Sequence, residues 1–401
     1  MPIPSHDGLI YSFGDHELDT RLHELRRAGE REHVEPQVFD VLEYLFAHRD
    51  RLVTKEELLD GVWGHRYVEP TTLNSRIKQA RQAVGDDGAA QRVIRTVHGL
   101  GFRVVAEVEE RGAVPAGPVG QPEQCIRFCT ASDGVRIAYA TSGAGTPLVK
   151  AANWLSHLEF DAASPIWQHW WRALAERHQL VRYDERASGL SDWDVDDISF
   201  DAWVQDLETV VDAAGLERFA LLGVSKGSAI SIAYAARHPE RVTHLVLHGG
   251  FVLGRGVKEM TESMRVRVQL EIDMVRLGWG GRNPAFRQAF TTMFFPGADP
   301  DQVTWFNELQ RISTSPENAA RMLSATRMID VRELAKQVKC PTLIFHCRDD
   351  ARVSFAAGEL IAQLIPTARF VPLASGNHLP LEHEPAWAEM LAELDRFERE
   401  L

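Results

Sequence analysis

Only four cysteines occur in 401 residues, Cys125, Cys129, Cys340 and Cys347, and their spacing lacks the pairs of a zinc site. A chain this long builds cores without disulfide staples, so buried free thiols are expected, with no metal site and no cofactor. No run approaches the roughly 18 apolar residues of a membrane span. Met1 to Leu9 lacks a basic segment followed by an apolar core, so no signal peptide and no membrane partner are expected, and the location should be cytoplasmic. Positive charge is also short: 44 Lys and Arg against 57 Asp and Glu leave a net charge of −13. That excludes wholesale coating of nucleic acid but leaves room for one local basic surface. Internal repeats are missing. The one low-complexity stretch is Glu109 to Glu123, rich in proline, glycine and charge without periodicity.

What is present is 44% apolar residues, enough for sizeable cores in two or three domains. The low-complexity stretch reads as a linker over 108–124, separating a domain at 1–107 from another at 125–401. Before it, Tyr11 to Asp19 and Glu24 to Glu30 alternate around turn residues as short strands. Pro36 to Ala47 has helical periodicity, with Val38, Val41, Leu42 and Leu45 on one stripe and Pro36 suited to a first turn. Thr54, with Glu57 three residues on, opens a second helix through Trp63. A third helix starts at Thr71 or Thr72 and ends near Gly85. It sets Leu73, Ile77, Ala80 and Val84 against Arg76, Lys78 and Arg81. Residues 70–105 hold six bases and two acids, net +4, whereas residues 1–69 hold eight bases and 15 acids, net −7. Attraction to phosphate should therefore come from the third helix and the hairpin after it.

Leu52-Val-Thr-Lys-Glu-Glu-Leu-Leu-Asp-Gly-Val-Trp-Gly64, Thr71 to Gly85, and Val93-Ile-Arg-Thr-Val-His-Gly-Leu-Gly-Phe-Arg-Val104 resemble the winged-helix output domain of OmpR/PhoB-type response regulators. The resemblance implies an α+β winged helix-turn-helix that binds double-stranded DNA, with the last helix in the major groove and the hairpin wing against neighbouring backbone. It places Thr72, Ser75, Arg76, Lys78 and Arg81 on the helix, and Arg95 and His98 near the wing, at the DNA. No receiver-like sequence precedes the module, so phosphorelay control is not expected.

From residue 125 the pattern is α/β. Ile126 to Thr130 and Val135 to Ala140 flank the hairpin signal Ser132-Asp133-Gly134. Apolar runs at Pro147 to Val149, Gln179 to Tyr183, Phe219 to Leu222, Val242 to Leu247, Thr342 to His346 and Ala368 to Pro372 alternate with helical stretches, which predicts a mostly parallel sheet covered by helices. Gly223-Val224-Ser225-Lys226-Gly227 sits between a strand and a helix, the setting of a nucleophile elbow, in which flanking glycines remove side chains that would clash. A serine needs a base, and the base needs a carboxylate to set its tautomer. Cys347-Arg-Asp-Asp350 and Ser375-Gly-Asn-His378 each follow a strand, completing the order Ser, Asp, His. Asp349 competes with Asp350 for the acid role, and His383 with His378 for the base.

This half resembles the α/β-hydrolase fold, of the esterase, haloperoxidase-like and ring-cleavage hydrolase group. Tyr183-Asp-Glu-Arg-Ala-Ser-Gly-Leu-Ser-Asp192 and Arg237-His-Pro-Glu-Arg-Val242 also match it. The likeness implies Ser225 as nucleophile, Asp350 as orienting acid, His378 as base, and the backbone N–H groups of Lys226 and Trp154 as oxyanion donors. Where the family usually carries His-Gly, this chain has Ala151-Ala152-Asn153-Trp154. Each oxyanion donor contributes on the order of 3 kcal/mol, so a misplaced one would slow turnover about a hundredfold. Residues 251–338 interrupt the pattern with helical, Met-rich and aromatic sequence, including Trp279, Phe290, Phe294 and Phe306, read as a cap whose inward face offers an apolar pocket. Most of these side chains are expected simply to hold the cap together. Trp154, His157, Trp167, Trp170 and Trp171 are read as a second wall or as core.

Three functions fit: a one-component transcriptional regulator that senses and hydrolyses a small ester, lactone or amide; a serine hydrolase with an accessory winged helix; and a binding module that needs no chemistry. A homodimer is expected from the symmetry of operators.

Overall fold

Apolar side chains gather into two principal cores, one holding Tyr11, Leu42, Phe46, Leu58, Ile77 and Phe102, the other holding Leu148, Leu180, Leu221, Leu245 and Ile344. The computed structural model describes residues 9–20, 24–32, 34–63, 70–97, 99–112, 124–257, 261–281 and 283–401. It divides into two units, Met1–Ala116 and Gly117–Leu401.

In the first unit, the strands Leu9–Phe13, His16–Asp19, Glu24–Arg27 and Glu30–Glu32 form an antiparallel sheet. Its far edge is covered by Glu109–Gly112, which pairs with Leu9–Phe13. This corrects the linker reading at its amino-terminal end. A strand of Glu, Glu, Arg and Gly carries no apolar alternation, and only the open sheet edge supplies its backbone partners.

The helices are Pro36–Ala47, Lys55–Trp63 and Pro70–Ala83. Val38, Val41, Leu42 and Leu45 are buried, as their stripe predicts. Thr54 Oγ1 accepts the Glu57 N–H at 3.1 Å, closing the first turn of the second helix. After the third helix, the Asp86 carboxylate accepts N–H groups from Asp87, Arg92, Val93 and Ile94 at 2.8 to 3.1 Å. One buried side chain thus ties the helix end to the hairpin Ile94–Val97 and Gly101–Val104. A Cβ at Gly101 would lie 2.0 Å from the Val53 carbonyl oxygen, so the hairpin packs on the strand Val53–Thr54 only with glycine there.

The second unit is an eight-stranded sheet. In spatial order its strands are Ala368–Leu373, Thr342–Cys347, Val242–His248, Phe219–Val224, Thr146–Lys150, His178–Tyr183, Arg136–Ser142 and Gln124–Thr130. The first six are parallel, and the last two form an antiparallel hairpin at the edge. Phe219–Val224 and Thr342–Cys347 are buried at every residue, which is why neither shows the alternation of a half-exposed strand. Over the carboxyl ends of the strands lie the helices Glu262–Gly278, Ala285–Phe294, Pro300–Ser313 and Pro316–Arg327. Asp299 and Gln302 form a capping box on the third of these, and Ser315 caps the fourth. Buried Arg287 fastens three segments of the cap by donating to the carbonyls of Gly281 and Asn307 at 2.7 and 2.9 Å.

Among the described residues no helix is long and apolar enough to cross a membrane.

Candidate functional site

Ser225 ends the strand Phe219–Val224 and starts the helix Lys226–Arg237 with φ 53° and ψ −121°, a conformation that L-residues avoid. Its N–H donates to the His248 carbonyl at 2.9 Å. Both flanking glycines are required by contact: a Cβ at Gly223 would lie 2.6 Å from Ser228 Cα, and one at Gly227 would lie 2.8 Å from the Ala152 carbonyl oxygen. The second contact presses the loop 151–154 onto the start of the helix. Trp154, Ser225 and Lys226 accordingly line one cavity.

Asp350 and His378, from the loops after Thr342–Cys347 and Ala368–Leu373, meet with His378 Nδ1 2.6 Å from Asp350 Oδ2. The other carboxylate oxygen accepts the N–H groups of Arg352 and Val353 at 2.8 and 3.0 Å. Burial alone would raise the Asp350 pKa, but the His378 imidazole and the backbone donors hold the carboxyl below its ordinary value. An ionised carboxylate only accepts, so Nδ1 carries the proton and Nε2 is left bare. Buried His378 Nε2 has no hydrogen-bond partner among the described residues. Asp349 is exposed. His378 is brought to the elbow by His248, whose Nε2 donates to the His378 carbonyl at 2.9 Å while its backbone holds Ser225. Burial lowers the His248 pKa to about 3, so this strut stays neutral. The arrangement offers a hydroxyl on a strained turn and an oriented imidazole with a vacant lone pair, two parts that acyl transfer requires.

Two buried lysine side chains hold these parts; sequence reading named only the backbone N–H of Lys226 and did not name Lys150. Lys226 Nζ reaches Glu185 Oε1 at 2.7 Å and lies 3.7 Å from the centre of the Trp203 ring. Burial pulls the lysine down and pushes the glutamate up, and each opposes the shift of the other. Lys150 bonds Asn153 Oδ1 and the Ala151 carbonyl, while Asn153 Nδ2 reaches the Trp154 carbonyl at 3.2 Å. The side chain of Asn153 thus braces a loop that lacks the usual glycine. Burial brings Lys150 down to about 8.

The cavity has a volume of about 270 Å³. Of Trp279, Phe290, Phe294 and Phe306, Phe294 lines it, beside Phe251 at the start of the cap; Trp279, Phe290 and Phe306 are buried in the core, the first two against Trp154. Trp167 and Trp171 stack at 4.8 Å within the core and do not line the cavity, and His157 accepts the Phe160 N–H at a helix start. Sequence reading missed the charged wall, Arg255, Glu271, Arg327 and Arg352. These residues are far apart in sequence and belong to no motif.

In the first unit Ser75, Lys78 and Arg95 are exposed and Thr72 partly so. Arg76 is half-buried and paired with Glu35 and Gln79. Arg81 departs from the expectation of a phosphate contact. It is buried, and its guanidinium donates to the Ile94 carbonyl at 2.9 Å and Thr96 Oγ1 at 2.8 Å. It fastens helix to wing, because its position falls on the face packed against the hairpin. His98 lies outside the described residues.

Residues 29–104 match the family of transcriptional regulatory proteins, C-terminal domain, and residues 160–385, more than half the chain, match the alpha/beta hydrolase fold. The PhoB phosphate regulon regulator of Rhizobium meliloti is 37% identical over 90 residues, 22% of this chain and 39% of that protein. The RutD protein of Azorhizobium caulinodans, named for carbamate hydrolysis, is 27% identical over 245 residues, 60% of this chain and 87% of its own. The esterase RhEst1 of Rhodococcus sp. superposes with a TM-score of 0.55 and 26% identity over 68% of this chain and 98% of that one.

Proposed function

This chain belongs to the α/β hydrolase fold family and joins that fold to an OmpR/PhoB-type DNA-binding domain, and on that premise we propose a one-component transcriptional regulator. Its hydrolase unit senses, and hydrolyses, a small ester, lactone or amide. The observation that carries the chemical half is the oriented pair Asp350 and His378, 2.6 Å apart, beside a serine held at positive φ. Ser225 Oγ attacks the carbonyl carbon and passes its proton to His378 Nε2. The tetrahedral oxyanion is met by the N–H groups of Lys226 and Trp154. Collapse breaks the bond to the leaving group, which takes the proton from His378. Water, deprotonated by the same nitrogen, then releases the acid and restores the hydroxyl. Relatives named for carbamate and ester hydrolysis support this chemistry without fixing the substrate.

The regulatory half rests on the winged helix. Ligand in the cavity must favour one DNA-binding state over another, in the cytoplasm and on a dimer if the operator is symmetric. Footprinting of the promoter region with and without ligand tests it. The expected result is an affinity change of about fivefold or more. Unchanged affinity with sustained turnover would favour the alternative, a serine hydrolase with an accessory domain.

Recognition itself is expected to depend on Ser75, Lys78 and Arg95. Lys78→Ala should weaken binding to all sequences alike and reduce the log–log salt slope by about one. Arg81→Ala should act differently, lowering the melting temperature of the unit, because it leaves the buried Ile94 carbonyl and the half-buried Thr96 hydroxyl without this donor. A fully stable Arg81→Ala protein would contradict this division of roles.

A further inference from the structure

One wall of the cavity that Ser225 also lines is unusual in its charge. Glu271 is the one acid among the described residues that line it, and it faces Arg255, Arg327 and Arg352. Glu271 pairs with Arg327, which is 8% exposed, and lies 3.5 Å from Arg352 Nη1, whose side chain is 15% exposed. Arg255 donates to the Arg352 carbonyl at 3.1 Å and has no acid of its own among the ion pairs of the described residues. Lys226 also borders the cavity, but its charge is met by Glu185 beneath the elbow. The remaining balance is three guanidinium groups to one carboxylate in a half-buried chamber. Burial pulls Arg327 and Arg352 below their ordinary values; Glu271 opposes this, and the neighbouring arginines add to it. Arginines retain their charge under such conditions, so the wall holds uncompensated positive potential where an anion would be stabilised on entry.

The wall is also placed against the reacting groups. Arg352 stands two residues after Asp350, and its N–H holds the Asp350 carboxylate. Its guanidinium lies 5.0 Å from the centre of the Phe294 ring, and that ring meets His378 edge-on at 5.3 Å. One aromatic ring therefore separates the positive wall from the imidazole. Phe251, Val252, Leu323 and Leu360 are among the apolar residues of the lining, which suits a short hydrocarbon spacer.

We propose that the compound taken up at Ser225 carries an anionic group of its own, a carboxylate held by Arg352 and Arg255 with Arg327 behind them, so that the substrate is a half-ester or half-amide of a small dicarboxylic acid. This rests on the reading of the cavity as the acyl-binding site of Ser225. It narrows that reading from any small acyl compound to a charged one. A guanidinium fork matches a carboxylate with two parallel hydrogen bonds, whereas a neutral ester leaves Arg255 and the surplus positive charge of the wall without a counter-charge.

The test uses the full chain and matched p-nitrophenyl esters: the half-esters of succinic to adipic acid against neutral alkanoate esters of equal length, corrected for uncatalysed hydrolysis. The expected result is a kcat/KM ratio of about tenfold or more in favour of one half-ester, shrinking as salt is raised. Arg352→Gln, and separately exposed Arg255→Gln, should lower that ratio about tenfold whatever happens to the absolute rate. A ratio at or below one in the parent protein, or a ratio that both variants leave intact, overturns the inference. A second arm titrates Ser225→Ala calorimetrically with the corresponding N-propyl half-amides and neutral amides. If neither ester is turned over but the anionic amide still binds more tightly, the charged pocket stands and the hydrolytic reading falls. If neither arm shows preference for the anion, the inference falls whatever the chemistry.

Discussion

Ser225→Ala is expected to reduce turnover of an activated ester by about 10⁴-fold or more, the scale on which loss of a triad nucleophile is felt. The serine hydroxyl does not cap the helix it begins, so its removal frees no backbone donor. The strained φ of 53° is imposed by the turn and is no worse for alanine than for serine. Stability should therefore change by less than about 0.5 kcal/mol, and loss of rate will report chemistry and not unfolding. Stopped-flow measurement of p-nitrophenol release decides the matter. A burst of one equivalent in the parent protein and none in the variant is the expected pair of traces, and a variant within about tenfold of the parent would remove Ser225 from the mechanism.

Asp350→Asn should cost about 10⁴-fold in kcat, close to the effect of losing the nucleophile. The reason is a tautomer. The carboxylate accepts from His378 Nδ1, which leaves Nε2 free as base. An asparagine turned to keep accepting the Arg352 and Val353 N–H groups through its oxygen presents its NH₂ to the ring. The imidazole then moves its proton to Nε2, where the base is needed. Asp349→Asn is the control, since Asp349 is exposed and its N–H bond to the Ser375 carbonyl uses backbone atoms alone. A loss at 349 equal to that at 350 would reassign the acid.

The same substitution carries a pH signature. Asp350 is held below its ordinary value in the fold, so it contributes stability that is present above the unfolded carboxylate pKa of about 4 and is lost as pH falls through the lower, folded value. Asp350→Asn should flatten that acid limb when melting temperature is followed against pH.

Much of this arrangement was legible before any coordinate. The elbow announces itself because a strand, a sharp turn and a helix must pass one another closely, and only glycine at 223 and 227 allows it. Asp350 and His378 fall at strand ends for the same topological reason. The apolar stripes of the winged helix follow helical period, and Thr54 caps as its spacing with Glu57 implies. Three things were hidden. Arg81 looks like its neighbours Arg76 and Lys78 in a charge count, and only the position of the wing turns it inward to Ile94 and Thr96. Glu109–Gly112 has the composition of a linker, yet it completes a sheet edge through backbone bonds that composition does not encode. Arg255, Glu271, Arg327 and Arg352 share no motif and meet because the cap folds back over the strand ends.

The sequence by itself determined two domains, their fold classes and the chain order of Ser225, Asp350 and His378 at strand ends, since these depend on periodicity, turn sterics and the spacing of strands, all local along the chain. Tertiary structure alone decided which of two adjacent aspartates faces the imidazole, which arginine is buried, and that the chamber beside Ser225 is positively charged. Those outcomes depend on burial and on pairing between residues distant in sequence, and a charge acquires its energetic meaning only from the groups that surround it.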